Sequence, residues 1–179
     1  PITLNFFRWL VAFVLLLPWS YPVLKPQSPI WGQWRRYGLM SLLGVGCYNS
    51  LQYLALHTST PINVTLVAAS VPIFMLALGA LFYQQPISRR QALGAALSIA
   101  GVLWVLVRGD WHALGQLRLV MGDVYVLLAV LCWAWYSWMV AQPVDPPEVR
   151  QNWAYFLTAQ MVFGLLWSGA FTLAEWQTL

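Results

Sequence analysis

The sequence predicts an all-α integral membrane protein, and three observations carry that expectation. Of its 179 residues 60% are hydrophobic and only 8% charged, where a soluble domain carries roughly 25% charged residues. Six apolar runs approach the roughly 20 residues a helix needs to cross a bilayer, and they are rich in Leu, Ala and Gly rather than in the alternating pattern of barrel strands. The connections between them are short and marked by Pro and Gly, so any function sits within the membrane bundle.

The first run, 3–19, carries a single charge, Arg8, near its outer end. Snorkelling to the headgroups is the ordinary expectation for such a side chain, and attraction of an anionic group is the alternative. The second run, 37–56, contains "CYNSLQYLAL". Asn49 and Gln52 stand three apart, Asn49 and Tyr53 four apart, and Tyr48 and Gln52 four apart, so amide and phenol groups share one helical sector.

The third run, 62–83, holds Asn63 and Thr65 near its outer end and Ser70 just before Pro72. Proline removes a backbone donor and crowds the carbonyl four residues earlier, here Ala68, which predicts a kink. The fourth, 92–107, has Gly94, Ser98 and Gly101 at i, i+4 and i+7, a stripe expected to let another helix approach.

The fifth run, 124–141, contains "CWAWYSW" at 132–138. Counted from Asp123, Trp133 lies about 14 Å into a hydrocarbon core about 30 Å thick, too deep for an interfacial belt. Trp133, Tyr136 and Ser137 share one face; Trp135 and Trp138 point to the other, Trp135 toward lipid or a neighbour and Trp138 toward the interface or lipid. The sixth run, 152–174, closes the set.

Each polar residue on these helices is ordinarily a helix-to-helix hydrogen bond. Polar groups in hydrocarbon must face protein or a water-filled cavity, and their convergence from three helices favours a substrate pathway.

Charge sets the orientation. Lys25, Arg35, Arg36, Arg89, Arg90 and Arg150 fall on one side and Arg8, Arg108 and Arg118 on the other, six against three, so the first side is expected to be cytoplasmic. The first helix then enters from outside, and an odd number of spans is expected before it. The chain reads as a fragment.

The net charge of +4 is loop charge with no dense basic patch, so no nucleic-acid partner is expected. Cys47 and Cys132 lie in apolar runs, far from any ligand spacing, and are expected to serve packing. His57 and His112 are isolated, and no G-x-S-x-G or H-E-x-x-H occurs, so no enzyme, metal site or cofactor is expected. Asp110, Asp123, Asp145, Glu148 and Glu175 all stand in loops or at helix ends. Proton coupling, if used, would therefore rely on Asp123, His57 or groups on helices outside this chain, and uncoupled or exchange transport is equally open.

The stretch "PITLNFFRWLVAFVLLLPW" resembles the second helix of EamA-type transporters of the drug/metabolite transporter superfamily. "GVGCYNSLQYLALHTSTPINVTLVAASVPIFMLAL" is similar to their third-to-fourth helix signature, and "ISRRQALGAALSIAGVLWVLVRGD" to the turn and glycine helix closing the first repeat. "GDVYVLLAVLCWAWYSWMV" looks like the helix opening the second repeat. One departure is Gln85, where the family usually has Glu three residues before the inner-loop Ser, here Ser88.

The resemblance implies a ten-helix protein of two inverted repeats, of which this chain holds helices two to seven. Residues 1–109 would be the first repeat without its first helix, 110–121 an extracytoplasmic linker, and 122–179 the first two helices of the second repeat. It implies a secondary transporter, an exporter, of small metabolites such as amino acids or their derivatives, working by alternating access. The pathway would be lined by Tyr48, Asn49, Gln52, Asn63, Ser70, Pro72, Trp133 and Tyr136. The implied location is the bacterial inner membrane, with a small-molecule metabolite and the lipid bilayer as partners and a homodimer left open. The rival reading is a non-transporting scaffold or assembly subunit, and after it an intramembrane enzyme.

Overall fold

The computed structural model describes residues 2–106 and 120–177, and among them every regular element is helical. Arg108, Asp110, His112 and Arg118, most of the expected linker and Val107 at the end of the fourth run lie outside the described residues. Four described helical segments are long and apolar enough to cross a membrane: Ile2–Leu24, Asn63–Phe82, Met121–Ala141 and Trp153–Gln177.

The two other expected runs are helical too, but weaker as spans. Residues 34–55 are divided into α3 (Trp34–Ser41), a π-helical turn (Leu42–Cys47) and α4 (Tyr48–Ala55), taking in Arg35, Arg36 and the amides Asn49 and Gln52. The helix α7 (Arg89–Leu106) opens on Arg89, Arg90 and Gln91, which shortens its apolar stretch. Its start is nevertheless well defined, because Ser88 and Gln91 cap each other reciprocally: Gln91 N–H donates to Ser88 Oγ at 3.3 Å and Ser88 N–H to Gln91 Oε1 at 2.9 Å.

The chain forms two compact units.

The first unit comprises Pro1–Ser50 and Met139–Leu179. Its axis is α10 (Trp153–Gln177), against which α1 (Ile2–Ser20), α3 and the π turn pack; the short α2 (Pro29–Gly32) and α9 (Pro147–Arg150) lie in the connections. Helix association in lipid relies on close packing of small residues and on interhelical hydrogen bonds. Accordingly the buried side of α10 is Ala154, Thr158, Ala159, Gly164, Ser168 and Thr172 among others, while Leu4, Leu15 and Trp19 of α1 are outward and more than 60% exposed. Thr158 Oγ1 donates to Ser20 Oγ at 2.6 Å, and Ser41 Oγ donates to the Gln160 carbonyl at 2.7 Å. A Cβ on Gly164 would meet the Val45 side chain at 2.8 Å, so glycine is what lets the π turn sit against α10.

One end of this unit is tied by charge. Arg36 binds Asp145 through both Nε and Nη2, at 3.0 and 3.1 Å, and Nη2 also donates to the Met139 carbonyl at 2.6 Å. Asp145 is 1% exposed and Arg36 15%. That carbonyl belongs to the last turn of α8 (Met121–Ala141), where acceptors have no partner within the helix, so the guanidinium serves as a cap as well as an ion-pair partner. At the opposite terminus of the chain Glu175 accepts from Ile2 N–H, Thr3 N–H and Thr3 Oγ1, fastening α1 to α10.

The second unit is Leu51–Trp138. Its core is Ala55, Val64, Val126 and Val130, with Val67, Ala68, Val71, Phe74 and Tyr125 packed around it. The third run proves to be two helices, α5 (Pro61–Ala68) and α6 (Val71–Phe82). Thr60 caps α5 by accepting from Asn63 N–H at 3.2 Å. At the other end of α6, Gln84 takes a left-handed φ of 51° and Gln85 N–H returns to the Gly79 carbonyl at 3.0 Å.

The glycine stripe of α7 has no described neighbour against it. A Cβ on Gly94 or Gly101 would meet nothing within 4 Å among the described residues. Small residues permit close approach but do not impose it; the described neighbours of α7 are α5 and α6.

Candidate functional site

The residues expected to line a pathway divide between the two units. Tyr48 and Asn49 belong to the first; Gln52, Asn63, Ser70, Pro72, Trp133 and Tyr136 belong to the second. All are partly buried except Pro72, which is exposed.

In the first unit the structure builds a polar cluster at the π turn. Asn49 Nδ2 donates to the Gly44 carbonyl at 3.0 Å, five residues back, and Asn5 Nδ2 donates to the Val45 carbonyl at 3.0 Å. The π turn makes this reach understandable: its backbone bonds span five residues, as Tyr48 N–H to the Leu43 carbonyl shows, and neighbouring carbonyls become available to side chains. With both nitrogens committed to backbone, both amide oxygens face Arg8. Its Nη2 donates to Asn49 Oδ1 at 2.7 Å and to Asn5 Oδ1 at 3.4 Å, and its guanidinium carbon lies 5.5 Å from the Trp9 ring.

The Arg8 head is thus tied to protein, to Asn5 on its own helix and to Asn49 on α4. Sequence reasoning missed Asn5, which is fully buried. Its spacing of three from Arg8 on one helix was the available signal.

In the second unit, the aromatic stretch of α8 divides into two faces as expected, but with different neighbours. Trp133 and Tyr136 touch, with ring centroids 5.1 Å apart, and Ser137 Oγ donates back to the Trp133 carbonyl at 2.8 Å. Trp138, expected at the interface or toward lipid, packs on protein. It stacks on Tyr83 at 5.0 Å and 14°, lies over Gly79, and donates its indole N–H to the Met75 carbonyl at 2.6 Å. Trp135 packs on Phe82 at 5.0 Å.

Pro72 breaks its helix rather than kinking it. Residues 69–70 form a turn, and Pro72 stands in the first turn of α6, where a missing N–H costs nothing. Ser70 Oγ donates to the Val67 carbonyl at 2.6 Å, and Ala69 N–H bonds back to Thr65 and Leu66, so freed carbonyls at the break are partly served by local donors. Asn63 lies at the opposite end of α5, within its capped first turn.

Asp123, a candidate for proton coupling, is 8% exposed and engaged at the start of α8, accepting from Ser59 Oγ at 3.0 Å and Val120 N–H at 3.1 Å. Gly122 beside it allows this approach, since a Cβ there would lie 2.5 Å from the Ala55 carbonyl. His57 is exposed. Among the described residues no group of three or more His, Cys, Asp and Glu is placed to hold a metal ion.

Comparison with known proteins adds three findings. The model of the EamA-like transporter family matches residues 1–107. An uncharacterized transporter of Archaeoglobus fulgidus is 26% identical over 137 residues, covering 76% of this chain and 46% of that protein. The uncharacterized transporter YyaM of Bacillus subtilis is 25% identical over 101 residues, covering 56% of this chain and 33% of its own length. The chain therefore spans less than half the length of the curated relatives it matches. No solved structure matches it significantly.

Proposed function

Because the chain belongs to the EamA-like transporter family, we propose that the protein it represents is a secondary transporter that exports small metabolites, such as amino acids or their derivatives, by alternating access. The family match over residues 1–107 is the observation that carries this reading. The geometry supports it in two places. Transport sites are commonly formed where membrane helices are interrupted and backbone groups meet polar side chains. Here the turn at 69–70 interrupts one span, and the π turn at Leu42–Cys47 presents carbonyls to Asn5 and Asn49.

On this reading Tyr48, Asn49, Gln52, Asn63, Ser70, Pro72, Trp133 and Tyr136 line the pathway, residues 1–109 and 122–179 belong to successive inverted repeats, and the protein resides in a bacterial inner membrane. Trp133 and Tyr136 supply an aromatic wall, and the amides of α4 supply polar contacts.

The test is uptake and efflux of labelled amino acids by the intact protein in proteoliposomes, with and without a proton gradient, beside Trp133→Ala and Asn49→Ala. Saturable flux that both substitutions reduce by about tenfold, a loss of roughly 1.4 kcal/mol, is expected in variants that keep the wild-type melting temperature. Absence of flux from folded wild-type protein across the panel would instead mean a scaffold.

A further inference from the structure

Between α1 and α10 the first unit holds a cavity of about 630 Å³, within the roughly 300–1,000 Å³ range of small-ligand sites. Its walls are Ala12, Leu15 and Leu16 on α1 and Leu157 and Met161 on α10. Both helices are long and apolar enough to span a membrane, and Leu15 and Leu157 are 66% and 37% exposed, so the groove opens along the flank of the pair.

One end of the groove is polar. There α1 finishes and α10 begins, which brings Trp19, Asn152 and Trp153 to its mouth. Both indoles are 69% exposed, as tryptophans at a membrane interface are. Asn152 uses its side-chain oxygen to cap α10, accepting from Ala154 N–H at 3.1 Å and Tyr155 N–H at 3.4 Å. Its amide nitrogen and the two indole nitrogens can only donate, and none finds an acceptor among the described residues.

An occupant must therefore bring acceptors to the mouth and an apolar chain to the walls. A phospholipid does both, with phosphate and ester oxygens at one end and a hydrocarbon tail at the other. A helix laid in the groove would suit the walls, but its backbone acceptors are already bonded within it, so it would serve the three donors only through side chains placed for the purpose.

Charge selects among phospholipids. Beyond the mouth, residues 21–36 and 142–152 carry Lys25, Arg35, Arg36 and Arg150 against Asp145 and Glu148. Arg36 and Asp145 neutralise each other, and Lys25, Arg35 and Arg150 outnumber Glu148. We propose that the α1–α10 groove binds an anionic phospholipid, its tail along the walls and its headgroup among Asn152, the two indoles and this basic fringe.

The test uses the intact protein in phosphatidylcholine vesicles doped with a phosphatidylglycerol that carries a diazirine in its acyl chain, with photolabelled residues read by mass spectrometry. Label is expected on Leu15, Leu16, Leu157 and Met161 in excess over Val11 and Val14, which are exposed on α1 outside the groove. A diazirine phosphatidylcholine with the same tail is expected to label the walls about fivefold less, the effect of one basic side chain near the headgroup. Neither comparison needs a variant.

Two variants extend it. Lys25→Gln, Arg35→Gln and Arg150→Gln together should bring the two lipids close to equality at unchanged melting temperature, and Ala12→Trp, which fills the groove, should abolish the excess on the walls for both. Equal label on the walls and on Val11 and Val14 would mean ordinary surrounding lipid. Equal label from both headgroups, or a preference that survives the triple substitution, would remove the anionic site. An unlabelled groove would mean that another helix of the intact protein fills it. Each of these results overturns the proposal.

Discussion

Trp138 lies directly on Gly79, and its indole N–H reaches past the bare Cα to the carbonyl of Met75 one turn earlier. A Cβ on residue 79 would stand 2.9 Å from Cε2, 3.1 Å from Cη2 and nearer still to Cζ2. The ring has Tyr83 stacked against it at 5.0 Å, so a shift of the indole would disturb that stack. Gly79→Ala is therefore expected to lower stability by about 1–3 kcal/mol, the usual cost of overpacking a filled site. Thermal unfolding in detergent checks this. In the background of Trp138→Phe, whose ring has less to displace, the same alanine should cost clearly less; equal costs in both backgrounds would mean that the clash relaxes elsewhere.

The Arg36 and Asp145 pair makes a second prediction. Asp145 is 1% exposed, and Arg36 also caps the Met139 carbonyl. Arg36→Met leaves a buried carboxylate without its partner and is expected to destabilise by about 3 kcal/mol. Arg36→Met with Asp145→Leu removes both charges and should recover most of the loss. The melting temperatures of wild type, the two single variants and the double variant form a cycle; additive losses would show that the ion pair contributes nothing of its own.

Pro72 leads to a third. Its replacement by Ala restores an N–H that can bond to the Ala68 carbonyl, so α5 and α6 are expected to join into a more continuous helix. Proline suits the first turn of a helix, so the stability change should stay within about 1 kcal/mol. Hydrogen exchange should slow across residues 68–73. If the break serves the transport cycle, flux falls while the fold remains intact; unchanged exchange would place the cause of the break in the packing around Ser70 instead.

The helical fold was legible because membrane helices announce themselves locally, through unbroken apolar stretches between Pro- and Gly-marked connections. The break near Pro72 was legible for the same reason, although a proline shows only that the ladder is interrupted, not whether the chain kinks or restarts. Trp133 and Tyr136 fell together because a spacing of three on one helix brings side chains together whatever surrounds them. The partners of Trp138, Met75, Gly79 and Tyr83, were not foreseen because they lie far away in sequence, and helical phase reveals which way a ring points but not what it meets. The contact of Arg8 with Asn49 escaped for the same reason, since the two stand 41 residues apart.

The sequence by itself determined that this protein is a helical membrane protein, where most of its helices run, and which transporter family it resembles. These follow from the transfer cost of polar groups and from helical periodicity, both of which act within a window of a few turns. Only the tertiary structure decided that the π turn aims two amides at Arg8, that Gly79 seats Trp138, and that Arg36 clasps Asp145 across 109 residues of chain. The physical reason is that hydrocarbon gives every apolar face the same welcome, so the choice among neighbours falls to shape and to hydrogen bonds that form only once the helices have met.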